Sequence, residues 1–302
     1  MRILIDVRPL QAEGAGSERS RFLLSCISGL SALKGVEWVY LLNEGEDLPL
    51  PAGEKVMPKG LFRRIAGIAK EQGADLVMMT DGKEARTSQA QCWWLKERPV
   101  LRVGTGAEVV VPLAPGEGIV PLSMEERALA KGRIAEGKEY FFVDIAGVPP
   151  AEVIEMLKAF SLFKKRQLSN MKLVLAGGKD KELAGKLDSY KYRQDVILHP
   201  GGDGMLVGGA YAMVRLAERG SWGIDVLNAW KAGVPVILAE AGENGDMLRV
   251  VKGDPALMAE GLKTLYKDER YRGELIEKGR LAVAGAGIDR TVAMIWEAIG
   301  GN

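Results

Sequence analysis

Several residue types are scarce in this sequence, and each scarcity excludes a class of function. The 302 residues contain one histidine and two cysteines, Cys26 and Cys92. No closely spaced Cys/His set is present, so we expect two ordinary buried thiols, no redox pair and no metal site. Lys and Arg number 41 against 40 Asp and Glu residues. This balance offers no general attraction to nucleic acid, and we predict no nucleic-acid partner.

Long hydrophobic runs are also lacking. No apolar stretch approaches the roughly 20 residues that span a bilayer, and we predict no transmembrane segment. Residues 1–11 are too short and too charged for a signal peptide. A cytoplasmic location follows as an expectation. Hydrophobic residues at 47% and charged residues at 27% are typical of a globular protein long enough for two domains.

The first half of the chain alternates β-branched apolar runs with segments of helical period, a pattern that indicates a parallel α/β sheet. Gly14, Ala15 and Gly16 form the predicted turn between the first strand and its helix. The predicted strands are residues 2–7, 36–42, 74–80, 100–104 and 108–113, and the predicted helices are 17–33 and 61–72.

A Pro/Gly-rich stretch, residues 112–121, divides the chain, and a charged helix at 123–136 follows it. We therefore predict an N-terminal domain at 1–115, a linker and helix at 116–138, and a C-terminal domain at 139–302.

The C-terminal domain repeats the alternation more regularly. Its predicted strands are 139–145, 171–176, 195–199, 210–216, 234–239 and 247–251, and its predicted helices are 150–165, 181–187, 222–232, 255–267, 270–281 and 289–299. Right-handed crossovers stack such strands into a doubly wound sheet, which binds ligands beyond the carboxyl ends of its strands.

Residues 210–241, AYAMVRLAERGSWGIDVLNAWKAGVPVILAEA, carry a specific pattern. It resembles the signature of family 4 (group 1) retaining glycosyltransferases, in which Glu-Gly-Phe-Gly, an apolar helix start and a second Glu precede Gly-Val-Pro-Val-Ile. Further matching pieces, residues 139–160, 171–178 and 253–280, follow the family's order. The resemblance implies the GT-B fold, with two Rossmann-like doubly wound parallel-sheet domains facing a cleft. It also implies an abridged N-terminal, acceptor-side domain, against which the last helix could pack.

The resemblance also implies a set of charged groups for transfer chemistry, and this chain lacks them. Family members stabilise the departing diphosphate with an Arg and a Lys, whose positions hold Ala146 and Ala151 here. The two family glutamates, which position the ribose and the sugar, fall on Gly220 and Asn228. Glu218 replaces the first only if the loop shifts by two residues. We therefore assign no catalytic residue.

The groups left to bind a nucleotide-sugar are backbone amides and a few neutral side chains. The candidate residues are Gly14, Ala15, Gly16, His199, Ser221, Trp222, Gly223, Ile224 and Asn228. The amides at the start of the helix after Gly223 suit a phosphate, although a glycine there serves an ordinary strand-to-helix turn equally well. His199 either contacts the nucleotide base or is an ordinary strand-end residue.

The function predicted from the sequence is a glycosyltransferase-like scaffold that binds a nucleotide diphosphate-sugar and is catalytically impaired. Its partners would be that donor, together with a glycan or lipid acceptor or a partner protein, and no cofactor is predicted. The alternative is an active retaining transferase that moves a hexose from the donor to the acceptor. A third hypothesis is an unrelated doubly wound protein, such as a nicotinamide enzyme, although Gly14 to Gly16 make only a partial dinucleotide fingerprint.

Overall fold

The structure is a computed structural model that divides into two compact α/β units. It describes residues 1–15, 17–45, 47–58, 64–82, 87–96, 98–104, 107–116, 118–177, 181–201, 204–216, 223–240, 242 and 245–300. Unit 1 comprises Met1–Glu117, Gly220–Ile224 and Ala286–Asn302, and unit 2 comprises Gly118–Arg219 and Asp225–Gly285.

In its described part, unit 1 contains a seven-stranded sheet. The strands are β1 (Arg2–Asp6), β2 (Glu37–Leu41), β3 (Glu54–Val56), β4 (Leu76–Met79), β5 (Ala90–Trp94), β6 (Val100–Val103) and β7 (Ala107–Val110). Their order is β3-β2-β1-β4-β5-β6-β7, with parallel pairing from β3 to β5 and antiparallel pairing from β5 to β7. The parallel part confirms the predicted class, whereas the antiparallel edge was not predicted.

The helices of unit 1 flank this sheet. They are α1 (Arg8–Glu13), α2 (Glu18–Ser31), α3 (Ile65–Glu71) and α11 (Ile288–Ala298). Helix α1 and the strands β3 and β5 were not predicted from the sequence. A six-residue helix is too short to display a helical period, and β3 is an edge strand without a buried residue. The predicted helix at 61–72 is present as α3, while residues 61–63 lie outside the described residues.

The packing of α11 against α2 depends on a glycine. A Cβ atom on Gly29 of α2 would lie 2.5 Å from Cγ2 of Val292 on α11. On the same helix as Val292, the Thr291 hydroxyl donates a 2.7 Å hydrogen bond to the carbonyl oxygen of Pro112. Residues of α11 thereby complete the hydrophobic core of unit 1, where Phe22 also meets Trp94 edge to face at 6.2 Å.

Gly29→Ala is expected to lower the free energy of unfolding of unit 1 by about 1–3 kcal/mol, because the added methyl group forces Val292 and its helix to move. Gly67→Ala is the matched control, since Gly67 lies in α3 with no atom within 4 Å of its Cβ position. Urea unfolding should show the control unchanged or stabilised. In the double variant Gly29→Ala with Val292→Ala, the smaller side chain at 292 should restore part of the free energy of unfolding that Gly29→Ala alone removes. Equal losses of stability in Gly29→Ala and Gly67→Ala would contradict this packing.

Unit 2 contains a six-stranded, wholly parallel sheet in its described residues. The strands are β8 (Tyr140–Asp144), β9 (Lys172–Ala176), β10 (Val196–His199), β11 (Ala212–Leu216), β12 (Val236–Ala239) and β13 (Leu248–Val250). Their order, β10-β9-β8-β11-β12-β13, is the doubly wound order. All six predicted strands of this half are confirmed.

The helices of unit 2 follow its strands. They are α4 (Met124–Ala135), α5 (Pro150–Gln167), α6 (Lys181–Asp188), α7 (Gly204–Gly208), α8 (Ile224–Lys231), α9 (Pro255–Lys267) and α10 (Glu269–Val283). The predicted cap of α4 is present, since the hydroxyl of Ser123 accepts from the amide of Glu126 while the Glu126 carboxylate accepts from the amide of Ser123. The five-residue helix α7 was not predicted.

A group of aromatic side chains joins α5 to the sheet and to α9. Phe163 of α5 is fully buried and meets Phe141 of β8 and Tyr266 of α9 edge to face, at centroid distances of 5.3 and 5.4 Å. Edge-to-face aromatic pairs add to the free energy of burial. Phe163 is therefore a central contact of the unit 2 core.

Both cysteines are buried and free, as the sequence predicted. Burial raises the pKa of the Cys92 thiol to about 12, and it raises the pKa of Cys26 as well. Both thiols therefore stay protonated near neutral pH and are unreactive in the folded chain. In the described part of the chain, no helix is long and apolar enough to cross a bilayer.

Candidate functional site

The order of strands in unit 2 points to a candidate ligand site between β8 and β11. These are the neighbouring strands at which the connections reverse direction, and doubly wound sheets bind ligands beyond the carboxyl ends at that point. The pairing of β8 with β11 ends at Phe142 and Met213, whereas β8 stays paired with β9 as far as Asp144. The two strands therefore separate before Asp144, as expected at such a site.

The loop after β8 carries a negative charge where the resemblance implies positive ones. Oδ1 of Asp144 accepts a 2.9 Å hydrogen bond from the amide of Ala146. Gly177 packs closely against this loop. A Cβ atom on Gly177 would lie 2.9 Å from the Cβ of Ala146 and 3.1 Å from Oδ1 of Asp144. Ala146 and Ala151 are both exposed. The two positions expected to hold cations therefore present methyl groups, beside a carboxylate.

His199 ends β10 at the same edge of the sheet. Its Nδ1 atom lies 2.8 Å from the carbonyl oxygen of Gly201 and 3.4 Å from the amide nitrogen of the same residue. The backbone carbonyl of His199 accepts a 3.0 Å hydrogen bond from the amide of Gly177. The local backbone thus holds the imidazole ring in one orientation.

The start of α8 carries a polar face that the sequence analysis identified in part. Nε of Arg215, on β11, lies 3.0 Å from Oδ2 of Asp225, whose Oδ1 accepts from the amide of Val226 at 2.9 Å. Asn228 lies one turn further along α8 and is partly buried. Asn228 was predicted, while Arg215 and Asp225 were missed. The sequence feature that could have identified Arg215 was its place as an arginine inside the otherwise apolar strand AMVRL.

Several predicted binding residues belong to unit 1 or lie outside the described residues. Gly220, Ser221 and Trp222, together with Gly16 and Glu218, lie outside them. Gly14 and Ala15 form the turn before α2, and Gly14 has a φ of 83° there, which glycine adopts without strain. Gly14 and Ala15 belong to unit 1, whereas His199 and Asn228 belong to unit 2.

The amide of Ile224 already has a carboxylate partner within unit 1. Glu18, in the first turn of α2, accepts a hydrogen bond from this amide. The Ile224 side chain is 5% exposed and belongs to the unit 1 core. The first amide of α8, which the sequence analysis offered to a phosphate, is thus bonded to an anion of the same chain.

A second charged cluster lies at the carboxyl ends of β1 and β4 in unit 1. Asp6 is 3% exposed, and its carboxylate accepts from Nε and Nη2 of Arg8 at 2.8 and 2.7 Å. The Thr80 hydroxyl donates to the carbonyl oxygen of Asp6 at 2.7 Å, and Arg19 donates to the carbonyl oxygen of Thr80. The hydrogen bond that Arg8 donates to the Asp6 carboxylate raises the pKa of Arg8. This cluster was missed because its members are far apart in sequence.

The sequence of the chain matches a known family over more than half of its length. The sequence model described as Glycosyl transferases group 1 matches residues 125–282 of the 302. No curated protein sequence matches the chain.

Solved structures with the same fold include three proteins with full-length similarity. WaaG, a glycosyltransferase involved in lipopolysaccharide biosynthesis, has a TM-score of 0.75 at 12% identity, with 100% of both chains covered. HepE from Anabaena, in complex with UDP and glucose, has a TM-score of 0.70 at 11% identity, with 100% of both chains covered. Sucrose-phosphate synthase from Thermosynechococcus elongatus has a TM-score of 0.66 at 11% identity, with 99% of this chain and 96% of that chain covered. With the match to residues 125–282, these similarities establish that the chain belongs to the group 1 glycosyltransferases and has the GT-B fold of that family.

Proposed function

We propose that this chain binds a nucleotide diphosphate-sugar at the carboxyl edge of the unit 2 sheet and is catalytically impaired as a transferase. The observation that carries the impairment is the loop after β8, where the Asp144 carboxylate is bonded to the amide of Ala146. Transfer needs positive charge at the departing diphosphate, and preorganised charge is usually the largest contribution to such a rate. The Asp144 carboxylate beside Ala146 supplies the opposite sign.

Two further observations support impairment. The amide of Ile224 is bonded to the Glu18 carboxylate, so a phosphate would have to displace that side chain to reach it. Asn228 stands where the family has its second glutamate, and its amide group can form hydrogen bonds with hydroxyl groups but carries no charge.

The proposal of a nucleotide-sugar rests on the family and on the solved structures. HepE has been crystallised with UDP-glucose, and that complex has a TM-score of 0.72 with this chain at 12% identity. His199 and Asn228 supply hydrogen-bonding groups for the base and for the sugar hydroxyls. A glycan, a lipid or a partner protein is the second partner of the scaffold.

An active retaining hexosyltransferase is the second candidate function, and Arg215 is the observation that favours it. This cation lies at the carboxyl end of β11, next to the start of α8. It could replace part of the charge that Ala146 and Ala151 lack.

Calorimetric titration with UDP-glucose and GDP-mannose, followed by an assay of donor hydrolysis, separates the two functions. We expect saturable binding of one donor, with turnover at least 100-fold below that of an active relative such as WaaG, because the loss of each charged group costs roughly two orders of magnitude in rate. Turnover that Asn228→Ala abolishes would establish the active transferase instead. Absence of binding to either donor would contradict both.

A further inference from the structure

Arg215 is held in a defined orientation near the point where β8 and β11 of unit 2 separate. It is the fourth residue of β11, and its side chain is 16% exposed. Its Nε atom lies 3.0 Å from Oδ2 of Asp225. The amide of Val226 donates to the other carboxylate oxygen at 2.9 Å, so the carboxylate that orients the guanidinium is itself fixed by the backbone of α8.

The stability of the fold does not account for an arginine at this position. The residues on either side of it, Val214 and Leu216, are buried in the core beneath α5 and α9. A partly buried ion pair is seldom more stable than apolar side chains of similar volume, because both charges must be desolvated. An apolar residue at 215 would therefore suit the sheet at least as well.

The position of Arg215 is instead suited to an anion. It lies two residues beyond Met213, where the pairing between β8 and β11 ends, and it reaches the first turn of α8 through Asp225. A guanidinium forms strong paired hydrogen bonds with phosphate oxygens. Asn228 follows Asp225 by three residues on the same face of α8.

We propose that Arg215 binds the diphosphate of the donor in this chain. This proposal rests on the proposed function, since it assigns a residue to the diphosphate of the same nucleotide-sugar. Asp225 is a positioning residue in this account, because it acts on the ligand through Arg215.

Calorimetric titration of the full chain with UDP, GDP and pyrophosphate tests the assignment. Arg215→Ala should weaken the binding of pyrophosphate and of the bound nucleotide by a similar factor, about 30-fold, because the lost contact is to the phosphates. Arg215→Lys keeps the charge without the planar fork, and it should weaken binding by about 5-fold. Thermal unfolding of each variant verifies that it is folded.

Arg249→Ala is the matched control. Arg249 lies on β13 of the same unit, and its Nη1 atom forms a 3.0 Å ion pair with Oε2 of Glu240. Its side chain is 27% exposed. The affinity of this variant for UDP, GDP and pyrophosphate should stay within 2-fold of the unsubstituted chain. Equal losses in the Arg215 and Arg249 variants would overturn the assignment.

The outcomes separate this proposal from the proposed function. If the unsubstituted chain binds a nucleotide and Arg215→Ala binds it equally well, the assignment of Arg215 is overturned while donor binding stands. If pyrophosphate binds in an Arg215-dependent way but no nucleotide or nucleotide-sugar binds, the proposed donor is wrong while the anion contact of Arg215 stands. If the unsubstituted chain binds none of these probes, both proposals are overturned.

Discussion

Phe163→Ala is expected to lower the free energy of unfolding of unit 2 by about 3–5 kcal/mol, which is the usual cost of removing a buried aromatic side chain. Phe163 is 0% exposed and contacts aromatic rings from β8, α5 and α9. Its removal leaves a cavity among Phe141, Phe160 and Tyr266, which belong to separate elements and cannot all move to fill it. Hydrogen exchange of the β8 and β9 amides under native conditions measures this loss in unit 2 alone.

Leu168→Ala is the control for this prediction. Leu168 follows α5 directly and is 92% exposed, so its truncation should change the exchange of the same amides by less than about 0.5 kcal/mol. A loss below about 1 kcal/mol for Phe163→Ala would mean that the aromatic group does not hold α5 against the sheet.

Ala146→Arg combined with Ala151→Lys is expected to raise the rate of donor hydrolysis by about 100-fold, because each cation adds charge stabilisation at the departing diphosphate and a cation introduced without its neighbours recovers about half, in free energy, of what a native one contributes. Both positions are exposed, so the longer side chains extend into solvent without disturbing the core. The rate is measured with the donor that binds more tightly in calorimetry.

The matched control replaces the same two alanines with glutamine, which adds length and hydrogen-bonding groups without charge. It should leave the rate within about 3-fold of the unsubstituted chain, since neutral amides stabilise a diphosphate far less than cations do. Equal rates in the charged and neutral double variants would show that the missing cations are not what limits catalysis.

The sheet of unit 2 could be predicted from the sequence because its strands are apolar runs separated by helices. Val236–Ala239 and Lys172–Ala176 are buried along their whole length, as the central strands of a parallel sheet must be. The edge of unit 1 could not be predicted in the same way. Its strand Glu54–Val56 is three residues long and mostly exposed, so it carries no periodic signal.

The candidate site could be predicted only where one short segment carries it. The absence of Arg and Lys after β8 was visible in the sequence, and so was Asn228 on α8. The hydrogen bond from the amide of Ala146 to Asp144 could not be predicted from the sequence, because an aspartate at the end of a strand does not reveal which group it will bond. The cluster at Asp6 requires Thr80, 74 residues away, and that contact exists only after β1 pairs with β4.

The contact between α2 and α11 has a consequence for synthesis of the chain. The α11 helix begins more than 250 residues after α2 ends, and its Val292 and Ile295 belong to the same hydrophobic core as Leu23 and Ile27 of α2. A ribosome adds about 5–20 residues per second, so this core waits roughly 10–50 s for its last helix. During that interval the part of α2 around Gly29 that packs against Val292 stays uncovered, and nascent chains stalled before residue 288 should be captured by chaperones through it.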